Sequence, residues 1–279
     1  MDEKTILFEG NRRLLEGLAY RMLGTLADAQ DVVQETYLKW QYADLARIEN
    51  ARAWLVTVCS RLSLNVLHSA RARRESYVGP WLPEPFLDDR AVDPAGRALI
   101  DDSVSVALML ALENLSPAER AAFLLSEIFD YSFDEIAAIL GKSSAACRKL
   151  ASRARTSLKA EKPRFTATPD EHQRLVGAFL QAARSGDLDT LKSLLAGSVE
   201  LHSDGGGKVQ AVPEILRGLD AVGGFFARIG PAYWAPASVT IVPHWFNGVP
   251  GVLIYNEGRL NTALTVAVAN GRIAALYAL

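Results

Sequence analysis

Cysteine is almost missing from this 279-residue chain, with only Cys59 and Cys147 present. Both sit inside apolar helical patterns and are expected as buried thiols of a reducing compartment, which excludes a disulfide framework. Histidine is scarce too. His68, His172, His202 and His244 are scattered, and none lies at ligand spacing from a cysteine. No metal site and no cofactor is therefore expected. No run of about 18 apolar residues occurs, so no membrane partner is expected. The opening "MDEKTILFEGNRRLLEG" lacks a basic stretch followed by an apolar one, so no signal peptide is expected and the chain is assigned to the cytoplasm. Net charge is small as well: 30 basic residues face 32 acidic ones.

What the chain has is local charge. Eight basic residues fall between Lys142 and Arg164, opposed by Glu161 alone. A second group, Arg47, Arg52, Arg61, Arg71, Arg73 and Arg74, is opposed by Glu49. Two cationic segments on a mildly acidic chain point to two contacts with a polyanion.

Periodicity divides the chain into four stretches: a helical module at 1–75, a linker at 76–102, a second helical module at 103–162 and an α+β domain at 163–279. In the first module, Leu14, Leu15, Leu18 and Met22 form one stripe. "DAQDVVQETYLKWQ" follows, with Asp28 as its expected N-cap and Val32, Val33, Thr36 and Tyr37 facing inward. A long amphipathic segment with Trp54, Leu55, Val58, Leu62, Val66 and Leu67 inward ends in basic residues. The linker carries Pro80, Pro83 and Pro85, which forbid a regular helix. Its Trp81, Leu82 and Phe86 are apolar enough to dock on another surface.

In the second helical module "SPAE" (116–119) and "SFDE" (132–135) are capping boxes. A helix at 133–140 ends at Gly141, and a "GKS" turn leads to another at roughly 144–159. This is a helix-turn-helix pattern. Arg148, Lys149, Ser152, Arg153 and Arg155 lie off the apolar stripe of Cys147, Leu150, Ala151, Ala154 and Leu158. Arginine and lysine there suit phosphates or guanine edges, and Ser143 and Ser144 at the helix start suit a phosphate.

In the last stretch "TPDE" (168–171) starts a helix and "LDTLKSLLA" gives another. The period then becomes alternating, and two apolar pairs are joined by Asn-Gly, the strongest short hairpin signal. Helices on a curved antiparallel sheet are expected. "SDGGGK" is not a phosphate loop, because Val209 and more extended chain follow where that motif needs Ser or Thr and a helix.

The run "DAQDVVQETYLKWQ", the segment "AWLVTVCSRLSLNVLHSARARRE" and the helix-turn-helix together resemble extracytoplasmic-function sigma factors over residues 5–160. The resemblance implies all-α sigma region 2 and region 4, no enzymatic activity, and two partners, core RNA polymerase and promoter DNA. It places Asp31, Gln34, Glu35, Leu38 and Trp40 against the polymerase. It places Arg52, Arg61, Asn65, Arg71, Arg73 and Arg74 at the downstream promoter element, and the helix-turn-helix at the upstream one. Asn65 and His68 stand where the family often shows Asp and Arg. "YVGPWLPEPF" and "DGGGK" resemble the subgroup with a C-terminal SnoaL-like domain, a cone-shaped curved sheet. The implied regulatory contact joins Trp81, Leu82, Pro83, Glu84, Pro85 and Phe86 to Asp204, Gly205, Gly206, Gly207 and Lys208. The family also implies a polar tail after the last strand, where this sequence reads "RIAALYAL".

Two rival readings compete with this one. The chain is a plain helix-turn-helix regulator in the first. In the second, His202, Asp204, Tyr233, Trp234, His244 and Trp245 line a pocket in the cone for a small ligand or for acid–base chemistry.

Overall fold

The computed structural model describes residues 2–74, 81–86, 105–161, 167–206 and 211–279, with the helical backbone alone at 70–74 and 160–161. Two compact units result. One comprises residues 1–76, 93–104 and 108–161, and the other residues 77–92, 105–107 and 162–279.

The first unit is helical. α1 (Glu3–Leu23) is capped by Asp2 and stopped by Gly24 at φ 79°, a conformation that glycine adopts without steric penalty. α2 (Leu26–Gln41) begins one residue after Thr25, whose hydroxyl accepts from Asp28 N. Asp28 is therefore not the cap. It sits at the third helical position, where its carboxylate accepts from the Thr25 hydroxyl at 2.7 Å. α3 (Ala51–Arg74) packs on both of these helices.

α4 (Val106–Glu113), α5 (Pro117–Glu127), α6 (Phe133–Leu140) and α7 (Ser144–Glu161) follow. The capping boxes form at Ser116 with Glu119 and at Ser132 with Glu135. Helices from the two sequence modules touch here: α1 and α3 both pack on α5, and α3 meets α6.

The second unit places helices on a sheet. α8 (Pro169–Ser185) is capped by Thr168. α9 (Leu188–Leu194), β1 (Leu195–Ser203), β2 (Leu216–Arg217) and α10 (Leu219–Tyr233) follow, then β3 (Val239–Phe246), β4 (Val249–Asn256), β5 (Arg259–Ala269) and β6 (Arg272–Ala278). Strand order is β2-β1-β6-β5-β4-β3. The sheet is not purely antiparallel as expected, because β1 pairs parallel to β6. Hairpin logic covers only neighbours in sequence, and β1 and β6 are joined through the whole domain.

Three hairpins turn at Asn247-Gly248, Glu257-Gly258 and Asn270-Gly271, each with positive φ at both residues. This is the primed turn that matches strand twist. One sheet face meets α8 and α10 in a core containing Phe179, Phe226 and Trp234. Gly230 of α10 lies so close to α8 that a Cβ would sit 2.0 Å from the Ala183 carbonyl oxygen. The opposite face carries a smaller cluster of Phe246, Leu253 and Ala263, flanked by Tyr255 and Leu279.

Candidate nucleic-acid interface

The α6–α7 pair is built by local rules. Gly141 at φ 63° ends α6, and the Ser143 hydroxyl accepts from Ala146 N at 3.2 Å to begin α7. Ser144 donates to the Asp134 carboxylate across the turn. Ile136, Ile139, Cys147, Ala151, Ala154 and Leu158 are buried between the helices and their neighbours. This leaves Arg148, Lys149, Ser152 and Arg153 exposed along one side of α7. Arg148 lies over the Phe133 ring, 5.5 Å from its centroid, which limits its wandering. Arg155 stands on the flank of this stripe and bonds Glu127 at 2.6 Å. Arg153 bonds Glu119 at 3.2 Å.

On α3, Arg52, Arg61 and Asn65 are exposed as residues, but two of the guanidinium groups are occupied. Arg61 donates from Nε to the Ile139 carbonyl at 3.0 Å and from Nη2 to the Ala138 carbonyl at 2.9 Å. These belong to the last turn of α6, where a cation also meets the negative end of the helix dipole. Arg52 reaches the Tyr131 hydroxyl. Burial raises the pKa of that phenol, and Arg52 partly offsets the rise. The side chains of Arg71, Arg73 and Arg74 lie outside the described residues.

On α2, Asp31, Gln34, Glu35 and Leu38 are exposed, and Leu38 is 51% accessible. Trp40 is not part of that surface and is corrected here: it is 0% exposed. It continues the inward series Ala29, Val32, Val33 and Thr36, at the i, i+3, i+4, i+7, i+11 spacing of one helix face. Its ring nitrogen donates to the Lys4 carbonyl at 2.8 Å, and it packs against Trp54. Tyr42, which the sequence reading passed over, is 91% exposed just past α2. Its place four residues after Leu38 was the available signal.

In the second unit, residues 81–86 form a strap. The Leu82 backbone N–H donates to Asp204 Oδ2 at 2.8 Å, while Asp204 Oδ1 accepts from Gly206 N at 2.8 Å. Leu82 and Asp204 are both buried. At the other end, Phe86 N donates to Asn247 Oδ1 at 2.8 Å and the Phe86 carbonyl accepts from Asn247 N at 3.0 Å. Sequence reasoning missed Asn247 because the Asn-Gly turn already accounted for it. Gly207 and Lys208, and the linker outside 81–86, lie outside the described residues.

The residues expected to line a ligand pocket are not brought together. Trp234 is part of the helix–sheet core, and Tyr233 is 69% exposed. His202 and His244 occupy the other sheet face, beside Tyr277 and Phe246 respectively. His202 is buried. Burial lowers its pKa, opposed by its bond to Glu200 at 2.9 Å. Phe179, Phe226 and Trp234 pack ring against ring in the helix–sheet core. A surface groove of about 600 Å³ lies beside α10, lined mainly by Val212, Pro213, Leu216 and Phe225. Among the described residues no acidic, histidine or cysteine cluster could hold a metal, and no helix is long and apolar enough to cross a membrane.

Residues 7–74 match the family Sigma-70 region 2, and residues 105–158 match Sigma-70, region 4. The chain is 39% identical to the ECF RNA polymerase sigma factor SigJ of Mycobacterium tuberculosis, over 97% of its length and 89% of that protein. It is 33% identical to the probable ECF RNA polymerase sigma factor SigI of the same organism, over its whole length and 93% of that protein. The crystal structure of M. tuberculosis SigJ superposes with a TM-score of 0.78 at 35% identity, covering 97% of this chain and 94% of that one.

Proposed function

The chain belongs to the extracytoplasmic-function RNA polymerase sigma factors, and on that premise we propose how its own residues divide the work of transcription initiation. Sigma regions 2 and 4 are present in order, followed by a domain of helices on a mixed sheet. Asp31, Gln34, Glu35 and Leu38 of α2 dock on core RNA polymerase in the cytoplasm. Arg52, Arg61 and Asn65 of α3 engage the downstream promoter element. Arg148, Lys149, Ser152 and Arg153 of α7, flanked by Arg155, read the upstream one.

The observation that carries this reading is the exposed cationic side of α7 beside a capped helix-turn-helix, in a chain that holds a second cationic helix. Either element alone binds DNA weakly through counterion release. Both on one polymerase act at high effective concentration. A plain helix-turn-helix regulator leaves the α2 surface without a role.

In the compact first unit, Arg61 and Arg52 are held by the α5–α6 segment and must let go before they meet DNA. The strap ties the segment between the two sigma regions to the C-terminal domain through Asp204 and Asn247. That domain thereby regulates how the regions separate, and no enzymatic step is assigned to it.

Reconstitution tests the reading. Purified chain mixed with core polymerase should co-elute with it and yield discrete run-off transcripts from promoters selected out of random-sequence DNA. A chain that neither co-elutes nor directs a start site contradicts it.

A further inference from the structure

Two arginines of α7 are each met by a carboxylate from α5. Arg153 meets Glu119 and Arg155 meets Glu127. Glu119 is already used, since its other oxygen closes the capping box with Ser116. Glu127 has no such duty. It is the last residue of α5, where a negative charge is unfavourable to the helix dipole. Its bond to Arg155 spans 28 positions of sequence, and both side chains are about one-third or more exposed. A partly exposed ion pair of this kind adds little to stability.

We propose that Glu127 is an internal competitor for DNA: its carboxylate occupies the Arg155 guanidinium as a backbone phosphate would, and so restrains non-specific binding by α7. A carboxylate and a phosphate oxygen offer the guanidinium the same charge and acceptor geometry. DNA must displace Glu127 to reach Arg155. Contacts made through Arg148 and Lys149 carry no such penalty, because the two carboxylates of α5 meet Arg153 and Arg155 instead. The effect is to lower affinity for any phosphate backbone about uniformly across sequences, while leaving base-edge contacts untouched. This inference rests on the assignment of α7 to DNA.

The test is fluorescence anisotropy of the full chain with random-sequence duplex over a series of salt concentrations. Glu127→Gln keeps shape and removes charge. It should tighten binding about 2–5-fold at low salt, the range of one exposed ion pair. The dependence on salt should steepen by about one phosphate equivalent. Glu127→Gln added to Arg155→Ala should give no gain over Arg155→Ala alone. Unchanged or weaker binding by Glu127→Gln overturns the proposal, the latter by showing that Glu127 orients Arg155 for DNA. If Arg155→Ala binds DNA as the wild type does while α7 variants at Arg148 and Lys149 bind poorly, Arg155 is not a DNA contact and the proposal fails although the function stands. If neither Arg155→Ala nor the variants at Arg148 and Lys149 alter binding, the assignment of α7 to DNA fails with it.

Discussion

Glu113→Ala should destabilise the helical unit by about 3–5 kcal/mol, the cost of stranding a buried charge. The charge is Arg120 of α5, whose side chain is 3% exposed. Its Nη1 donates to the Glu113 carboxylate at 2.7 Å and to the Met22 carbonyl at 2.6 Å. Met22 lies in the last turn of α1, so one guanidinium ties sigma region 2 to sigma region 4 and to the end of α4. With Glu113 gone, the cation keeps one neutral acceptor in a site closed to water. Glu113→Gln keeps an acceptor oxygen and should lose less. Replacing both partners with apolar residues, Arg120→Met with Glu113→Leu, should recover part of the loss, leaving mainly the unmet Met22 carbonyl at about 1–3 kcal/mol. Urea unfolding of the full chain measures all three. A loss below about 1 kcal/mol for Glu113→Ala would show the pair to be solvated.

Asp204→Ala should free the strap. Both carboxylate oxygens accept backbone N–H groups, from Leu82 and from Gly206. A buried N–H left without its charged acceptor costs about 1.5–3 kcal/mol, which is roughly a 10- to 150-fold rise in local opening. Chymotrypsin reports that opening, because the Trp81–Leu82 bond becomes cleavable once Leu82 leaves its buried site. Cleavage under limiting protease should accelerate by that factor in Asp204→Ala. Asp204→Asn, which keeps an acceptor, should fall between. Equal rates in all three proteins would mean that Phe86 and Asn247 hold the strap unaided.

Much of this was legible in the residues. Ser116, Ser132 and Thr168, each followed three residues later by Glu, marked helix starts because an orphaned N–H needs a short-range acceptor. Asn247-Gly248 and Asn270-Gly271 marked hairpins because few residue pairs accept two positive φ angles. The third hairpin was hidden, since Glu257 is an ordinary residue at that position. α10 was hidden by Gly223, Gly224, Gly230 and Pro231, which read as turn residues. Gly230 is there because α8 leaves no room for a side chain. Trp40 was misassigned because the family resemblance placed it on the polymerase-facing surface, whereas the helix period carries it inward with Val32, Val33 and Thr36. The parallel β1–β6 pair could not be read at all, because nothing local encodes a partner so distant in sequence. Nor could the guanidinium bonds of Arg61 to α6, since composition shows a cation and not what holds it.

Hydroxyl-radical footprinting of the holoenzyme on a selected promoter tests the account most directly. Two separate protected patches upstream of the start site are expected. Arg148→Ala with Lys149→Ala should erase the upstream patch and spare the other, while Asn65→Ala with Arg52→Ala should weaken the downstream patch alone. A single patch, or two that fade together whichever helix is altered, would contradict the division of promoter contacts between α3 and α7.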